Sequence, residues 1–224
     1  SHNELNQISG SIVASFADVL SVKLPESIKK MFEKKDDVNN EAYKKYLEGN
    51  YLVKINDSLD KSVKLLEESI DLDDNFSKPY ATLALNKNLM GEFDDAEEHL
   101  DDALDIAEDN NDKESLSIVY NNYGLIYKEQ KRFKKAIRFF NKGLKLQKTL
   151  QNEHMYANLL HNMSTCYGLS GENDRWINYL EQSQRIYQKL ELEDRLGNSY
   201  GTMGNAYKSS GENETAINYY NKAM

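Results

Sequence analysis

A set of bulky and small residues returns along this chain every 40 positions, and that recurrence limits what the chain can fold into. The stretch from Ser117 to Leu150 shows it best. Its first half carries Tyr120, Gly124 and Tyr127; its second half carries Ala136, Phe140 and Gly143. Residues three or four apart share one face of a helix. The stretch therefore reads as two helices joined by a turn, packed closely because large side chains meet small ones. Moving forward by 40 lands on Leu160, Ser164, Tyr167, Trp176, Leu180 and Ser183. Another 40 lands on Tyr200, Gly204, Tyr207, Ala216, Tyr220 and Ala223. Moving back lands on Tyr80, Ala84, Lys87, Ala96, Leu100 and Ala103. One such hairpin cannot bury its apolar face alone, but copies stacked on either side bury it continuously.

The series Tyr200, Met203, Gly204, Tyr207, Gly211, Ala216, Tyr220, Ala223 resembles the tetratricopeptide repeat. The usual unit is roughly 34 residues. The longer one here resembles the repeats of kinesin light chains and related bacterial solenoids, with second helices that run on. The pattern departs at Lys87, where Tyr is usual, and at Trp176, where Ala is usual; the proline that often closes a repeat is missing. The resemblance implies an all-α, right-handed α-solenoid. Residues 1–42 read as N-terminal capping helices and a linker, and 43–224 as the array. Its repeats lie near 43–76, 77–116, 117–156, 157–196 and 197–224, the last truncated.

Leu5, Ile8, Ile12, Val13, Phe16, Val19 and Leu20 are spaced for one helical face. Pro25 opens a second short helix with Ile28, Met31 and Phe32. Glu41 to Leu52 and Leu59 to Asp73 then make a first, degenerate hairpin. Over roughly residues 8–80 this opening resembles the repeat region that follows a class III nucleotide cyclase, a winged-helix domain or a TolB-like domain in bacterial signalling proteins. That resemblance implies an alternative role: a regulatory or sensor segment of a larger signalling enzyme or transcriptional regulator. Ser77, Asp112, Asn152 and Glu193 signal helix starts, and Gly91, Gly171 and Gly211 signal turns; Lys131-Arg132 takes the equivalent turn.

The 224 residues carry a net charge of −9, which argues against nucleic acid as the partner. No apolar run approaches the roughly 18 residues needed for a membrane-spanning helix, so no membrane insertion is expected. The start has no basic region and no initiator Met, and Ser1-His2 reads as a tag remnant. Met224 falls partway through a helix, so the chain reads as a piece of a longer protein. A single cysteine, Cys166, permits no internal disulfide. The expected location is the cytoplasm.

Residues suited to chemistry are sparse. His99, His154 and His161 have no paired metal spacing. Asp71 to Asn75 begins like a calcium loop, but Phe76 stands where Gly is needed and Thr82 where a bidentate Glu is needed. No nucleophile with a neighbouring base appears, so the chain reads as non-catalytic, with no metal and no cofactor. Its expected partner is a protein or peptide. The resemblance places first helices on the concave side, with a peptide groove lined by four sets of residues. They are Lys78, Thr82, Leu85 and Asn88; Asn121, Asn122, Leu125 and Lys128; Asn158, His161, Asn162 and Thr165; and Asn198, Thr202, Asn205 and Lys208. Asparagine recurs there. Its amide donates and accepts, so it can hold an extended peptide by its backbone; it can equally bond between adjacent helices.

Charge is laid out in blocks. Acids fill Glu92 to Asp112: Asp94, Asp95, Glu97, Glu98, Asp101, Asp102, Asp105, Glu108 and Asp109. Bases fill Lys128 to Lys148: Lys131, Arg132, Lys134, Lys135, Arg138, Lys142, Lys145 and Lys148. These second helices either neutralise each other side by side or leave the basic one as a docking stripe for an acidic partner. The last hairpin is expected to leave Ile217, Tyr220 and Ala223 uncovered, open to fraying or self-association.

Overall fold

The computed structural model describes residues 38–54 and 58–224. The helices read at residues 5–32 lie outside the described residues. Ten α-helices occur among the described residues, with no strand. The chain divides between Phe76 and Ser77 into two compact units.

In the first unit, α1 (Asn40–Lys54) and α2 (Leu59–Leu72) form the degenerate hairpin. Asn39 caps α1, its Oδ1 accepting from the Glu41 and Ala42 backbone N–H groups at 2.9 and 3.3 Å. Two buried serines knit the helices: Ser62 donates to the Gly49 carbonyl at 2.8 Å and Ser69 to the Ala42 carbonyl at 2.7 Å. Phe76 packs its ring edge against Tyr46, centroids 5.2 Å apart.

The second unit holds four hairpins. They are α3 (Ser77–Met90) with α4 (Phe93–Asp109), α5 (Lys113–Glu129) with α6 (Phe133–Leu150), α7 (Glu153–Leu169) with α8 (Asn173–Lys189), and α9 (Glu193–Ser209) with α10 (Asn213–Ala223). The four turns share one conformation. Gly91, Gly171 and Gly211 have φ of 82, 81 and 83°, and Lys131 takes the same left-handed place at 59°. The backbone N–H of the next residue reaches back five positions each time, as from Glu172 to the Tyr167 carbonyl at 2.9 Å. Between hairpins, Asp112 caps α5 through Glu114 and Ser115, and Asn152 caps α7 through Met155. At the third such junction the cap position is Leu192, whose side chain has no acceptor to offer.

The large-against-small rule holds at atomic distances. A Cβ on Gly124 would lie 2.3 Å from Phe140, and one on Gly204 would lie 2.5 Å from Tyr220. In the other two hairpins, Ala84 and Leu100 hold the first pair of places and Ser164 and Leu180 the second, all fully buried. The departure at Trp176 is compensated nearby. Trp176 replaces the alanines Ala96, Ala136 and Ala216, and Gly168 replaces the long side chains of Asn88, Lys128 and Lys208. The indole fills the vacated space, 2.4 Å from where a Gly168 Cβ would be. On α10, Ile217 is 57% exposed, as expected of an uncovered face, whereas Tyr220 and Ala223 are half-buried.

Candidate peptide-binding face

Three first helices of the second unit approach one another: α3 packs on α5 and α5 on α7, while no comparable packing joins α7 to α9, α4 to α6 or α6 to α8. Helices α3, α5 and α7 therefore line the tighter, inner face. Along it runs a chain of amides. Asn162 Nδ2 donates to Asn121 Oδ1 at 3.0 Å, Asn121 Nδ2 donates to Asn122 Oδ1 at 3.2 Å, and Asn122 Nδ2 donates to the Ala81 carbonyl at 2.8 Å. Both inter-helix steps span 41 residues. An asparagine on one first helix thus reaches back to the residue one place earlier on the preceding hairpin. Asn122 is 3% exposed and fixed at both ends of its amide, so it works inside the protein as a tie between hairpins. Thr202, at the equivalent place on α9, instead bonds its own helix at the Asn198 carbonyl.

Two other asparagines are oriented by tyrosines. Tyr187 donates its hydroxyl to Asn158 Oδ1 at 2.9 Å, and Tyr220 donates to Asn205 Oδ1 at 2.7 Å. A phenol that donates to Oδ1 fixes the amide plane and leaves the Nδ2 group to donate elsewhere. Asn158 is half-buried and Asn205 exposed. Beside them, His161 is held neutral. Burial foremost, then the charges of Arg195 and Lys128, push its pKa down to about 4, and its Nδ1 is buried with no hydrogen-bond partner. Asn88 Oδ1 is likewise buried without a partner. Thr165 bonds the His161 carbonyl at 3.1 Å, and Lys128 pairs with its neighbour Glu129 at 3.2 Å. Thr82 is buried, Lys78, Leu85 and Leu125 are half-buried, and Asn198 and Lys208 are exposed.

Inside three hairpins the recurring tyrosines meet aromatic partners on the second helix that the sequence reading missed. Tyr127 stacks on Phe139 with centroids 5.5 Å apart, Tyr167 on Tyr179 at 5.3 Å, and Tyr207 on Tyr219 at 5.3 Å. A cation covers each pair: Lys135 over Tyr127, Arg175 over Tyr167, Lys222 over Tyr219. The signal was the same recurrence of 40 read one face further round. The charged blocks do not close on each other as side-by-side neutralisation would require. Arg132 with Glu97, at 3.5 Å, is the one ion pair joining them among the described residues. Instead Tyr123 donates its hydroxyl to Asp101, and Tyr127 donates to Glu97 at 2.8 Å. Burial, and then the neighbouring Glu97, push the Tyr127 phenol up to about 12. Two open recesses of about 490 and 510 Å³ lie by the α5–α6 turn and beside the Tyr167–Tyr179 stack; neither is lined by an inner-face residue.

Hairpins of antiparallel helices, tied first helix to first helix, define a helical-repeat solenoid. The tetratricopeptide repeat family matches residues 75–149 and 155–224, and this chain belongs to that family. Repeats of this family generally mediate protein–protein interaction. No curated protein sequence matches the chain. Among solved structures, the fold resembles BtubC (BKLC) from P. vanneervenii, with TM-score 0.65, 21% identity, and coverage of 81% of this chain and 82% of that one. It also resembles a Signal Transduction ATPase with Numerous Domains from Pyrococcus horikoshii that carries a tetratricopeptide repeat sensor. There the TM-score is 0.69 and the identity 20%, over 81% of this chain and 30% of that one. A third is a Rap protein complexed with Competence and Sporulation Factor, at TM-score 0.68 and 15% identity, over 88% and 57%. These likenesses show the fold. None supports the narrower likeness to cyclase or TolB-like proteins.

Proposed function

We propose that this chain is a non-catalytic interaction scaffold whose inner face takes an extended peptide or a partner segment. The observation that carries the reading is the pair of tyrosine-fixed asparagines. Asn158 on α7 and Asn205 on α9 present Nδ2 donors with no partner among the described residues. A donor held in place loses little freedom on binding, so it discriminates for a peptide carbonyl at low entropic cost. Asn121, Asn162 and Asn122 hold the helices in register beneath that surface. Leu125 and Thr165 line it, and Asn88, His161, Lys128, Asn198, Thr202 and Lys208 complete it.

The test is a displayed peptide library selected on the protein, followed by affinities for the double variant Asn158→Ala/Asn205→Ala. Two lost hydrogen bonds at about 1 kcal/mol each predict a roughly 30-fold weaker complex. Equal affinity for wild type and variant would remove these amides from recognition. The same reading accommodates a regulatory segment of a larger signalling protein, and a cytoplasmic setting, as the role and place in which such a groove would operate.

A further inference from the structure

The two charged blocks are not merely opposite; they are the same places on successive hairpins. Asp94 and Lys134 stand 40 residues apart, as do Glu98 and Arg138, and Asp105 and Lys145. The acids are spaced four and seven apart, which keeps them on one helix face, and the bases repeat that spacing. All six are exposed, and none forms an ion pair with another described residue. Within α4 and α6 the imbalance is complete: α4 has no Lys or Arg, and α6 has no Asp or Glu.

The blocks cannot satisfy each other well within one molecule. α5 packs against both helices, and its buried tyrosines stand between them, bonded to Asp101 and Glu97 of α4 and stacked on Phe139 of α6. Exposed charges held apart across water attract weakly, because salt screens them over about 8–10 Å. Two copies have no such barrier. Helices α4 and α6 both run antiparallel to α5, so they run parallel to each other, and repeat-equivalent residues face alike. A two-fold axis parallel to the helices and midway between them carries α4 of one copy over α6 of the other. Each acid then lies opposite its own repeat equivalent, and the contact is made twice. A two-fold axis across the helices would set acid on acid.

We propose that this outer face, formed by α4 and α6, pairs with the same face of a second copy of the chain. The contact is isologous, governed by charge, and separate from the inner groove.

The experiment is sedimentation velocity on the full chain at about 100 µM, in low salt of about 50 mM and high salt of about 500 mM. One variant reverses the bases, Lys134→Glu/Arg138→Glu/Lys145→Glu; the other reverses the acids, Asp94→Lys/Glu98→Lys/Asp105→Lys. The expected result is a dimer in low salt whose dissociation constant rises at least about tenfold in high salt. Each reversed variant should be monomeric alone, and their equimolar mixture should recover the dimer. A chain carrying both reversals should also pair with itself. Circular dichroism on each variant verifies that the helices are intact. A wild type that is monomeric in low salt would overturn the proposal. So would a dimer indifferent to salt and to both reversals, which would move the contact to the exposed Ile217 end. Loss in each variant without recovery on mixing would overturn it too, since complementarity demands the rescue.

Discussion

Replacing Gly124 by alanine separates two effects that usually coincide. Inside a helix, glycine to alanine gains about 1 kcal/mol from backbone entropy and propensity. At Gly124 the new Cβ would lie 2.3, 2.5 and 2.6 Å from Cε1, Cδ1 and Cζ of Phe140. Ordinary carbon contacts sit at roughly 3.5–4 Å, so the ring must retreat by about 1 Å. Phe140 is fully buried, in one cluster with Tyr123, Tyr127, Leu144 and Leu160. Overpacking of that kind costs about 1–3 kcal/mol, and a ring with no open side belongs at the upper end. The net expectation is a loss of about 1–2 kcal/mol, against a gain of about 1 kcal/mol for Gly201→Ala, where nothing lies within 4 Å. Urea unfolding followed by far-UV circular dichroism measures both. A domain of this size shifts its melting temperature by about 2–4 °C per kcal/mol, so the two variants should bracket the wild type. The chain also supplies its own repair. Ala84 and Leu100 hold the equivalent places in the hairpin before. Gly124→Ala/Phe140→Leu should therefore be more stable than the two single effects added together, by about 1 kcal/mol or more. A Gly124→Ala protein as stable as Gly201→Ala, or a double variant that merely sums the singles, would refute the size-matching argument.

Three further expectations follow from single sites. Lys131→Gly should raise the urea midpoint by the equivalent of about 0.5–1 kcal/mol, because Lys131 sits at φ 59° where the other three turns have glycine. Asn122→Ala should destabilise by about 1–3 kcal/mol, since it leaves the Ala81 carbonyl and Asn121 without their buried partner. Thermal unfolding reads it, and Asn205→Ala, at an exposed site, should move stability by less. For His161 the folded pKa, about 4, lies below the unfolded value of 6.5. The unfolded chain binds the extra proton between those values, so stability is intact above about 6.5 and is lost as pH falls towards 4. From neutral pH to about 4.5, the unfolding free energy read from urea titrations should fall by an extra ~2–3 kcal/mol in wild type relative to His161→Asn, the residue that Asn121 supplies on the preceding hairpin.

The hairpins, their register and their turns were legible in the sequence because each is set by residues less than 20 apart, repeated four times. Gly124 against Phe140 and the left-handed turn at Gly171 are local facts that the recurrence only multiplies. The inner face was half-legible, and the physical reason is one of stride. The pattern repeats every 40 residues, so reading by the pattern aligns Asn162 with Asn122 as equals on one surface. Their hydrogen bonds instead span 41 residues, because neighbouring first helices meet offset by one place. Asn122 finds a backbone carbonyl and disappears from the surface, whereas Asn162 finds another amide and stays half-exposed. Which asparagine becomes a tie and which remains for a ligand depends on that offset and on what the residue one place earlier happens to be. Where it is Ala81 the carbonyl is open to the amide; where it is His161, Thr202 turns back to its own helix. The same dependence explains the charged helices. Nothing within 20 residues of Glu98 fixes its partner, so the sequence could show the inversion at 40 residues but not the tyrosines of α5 standing between α4 and α6.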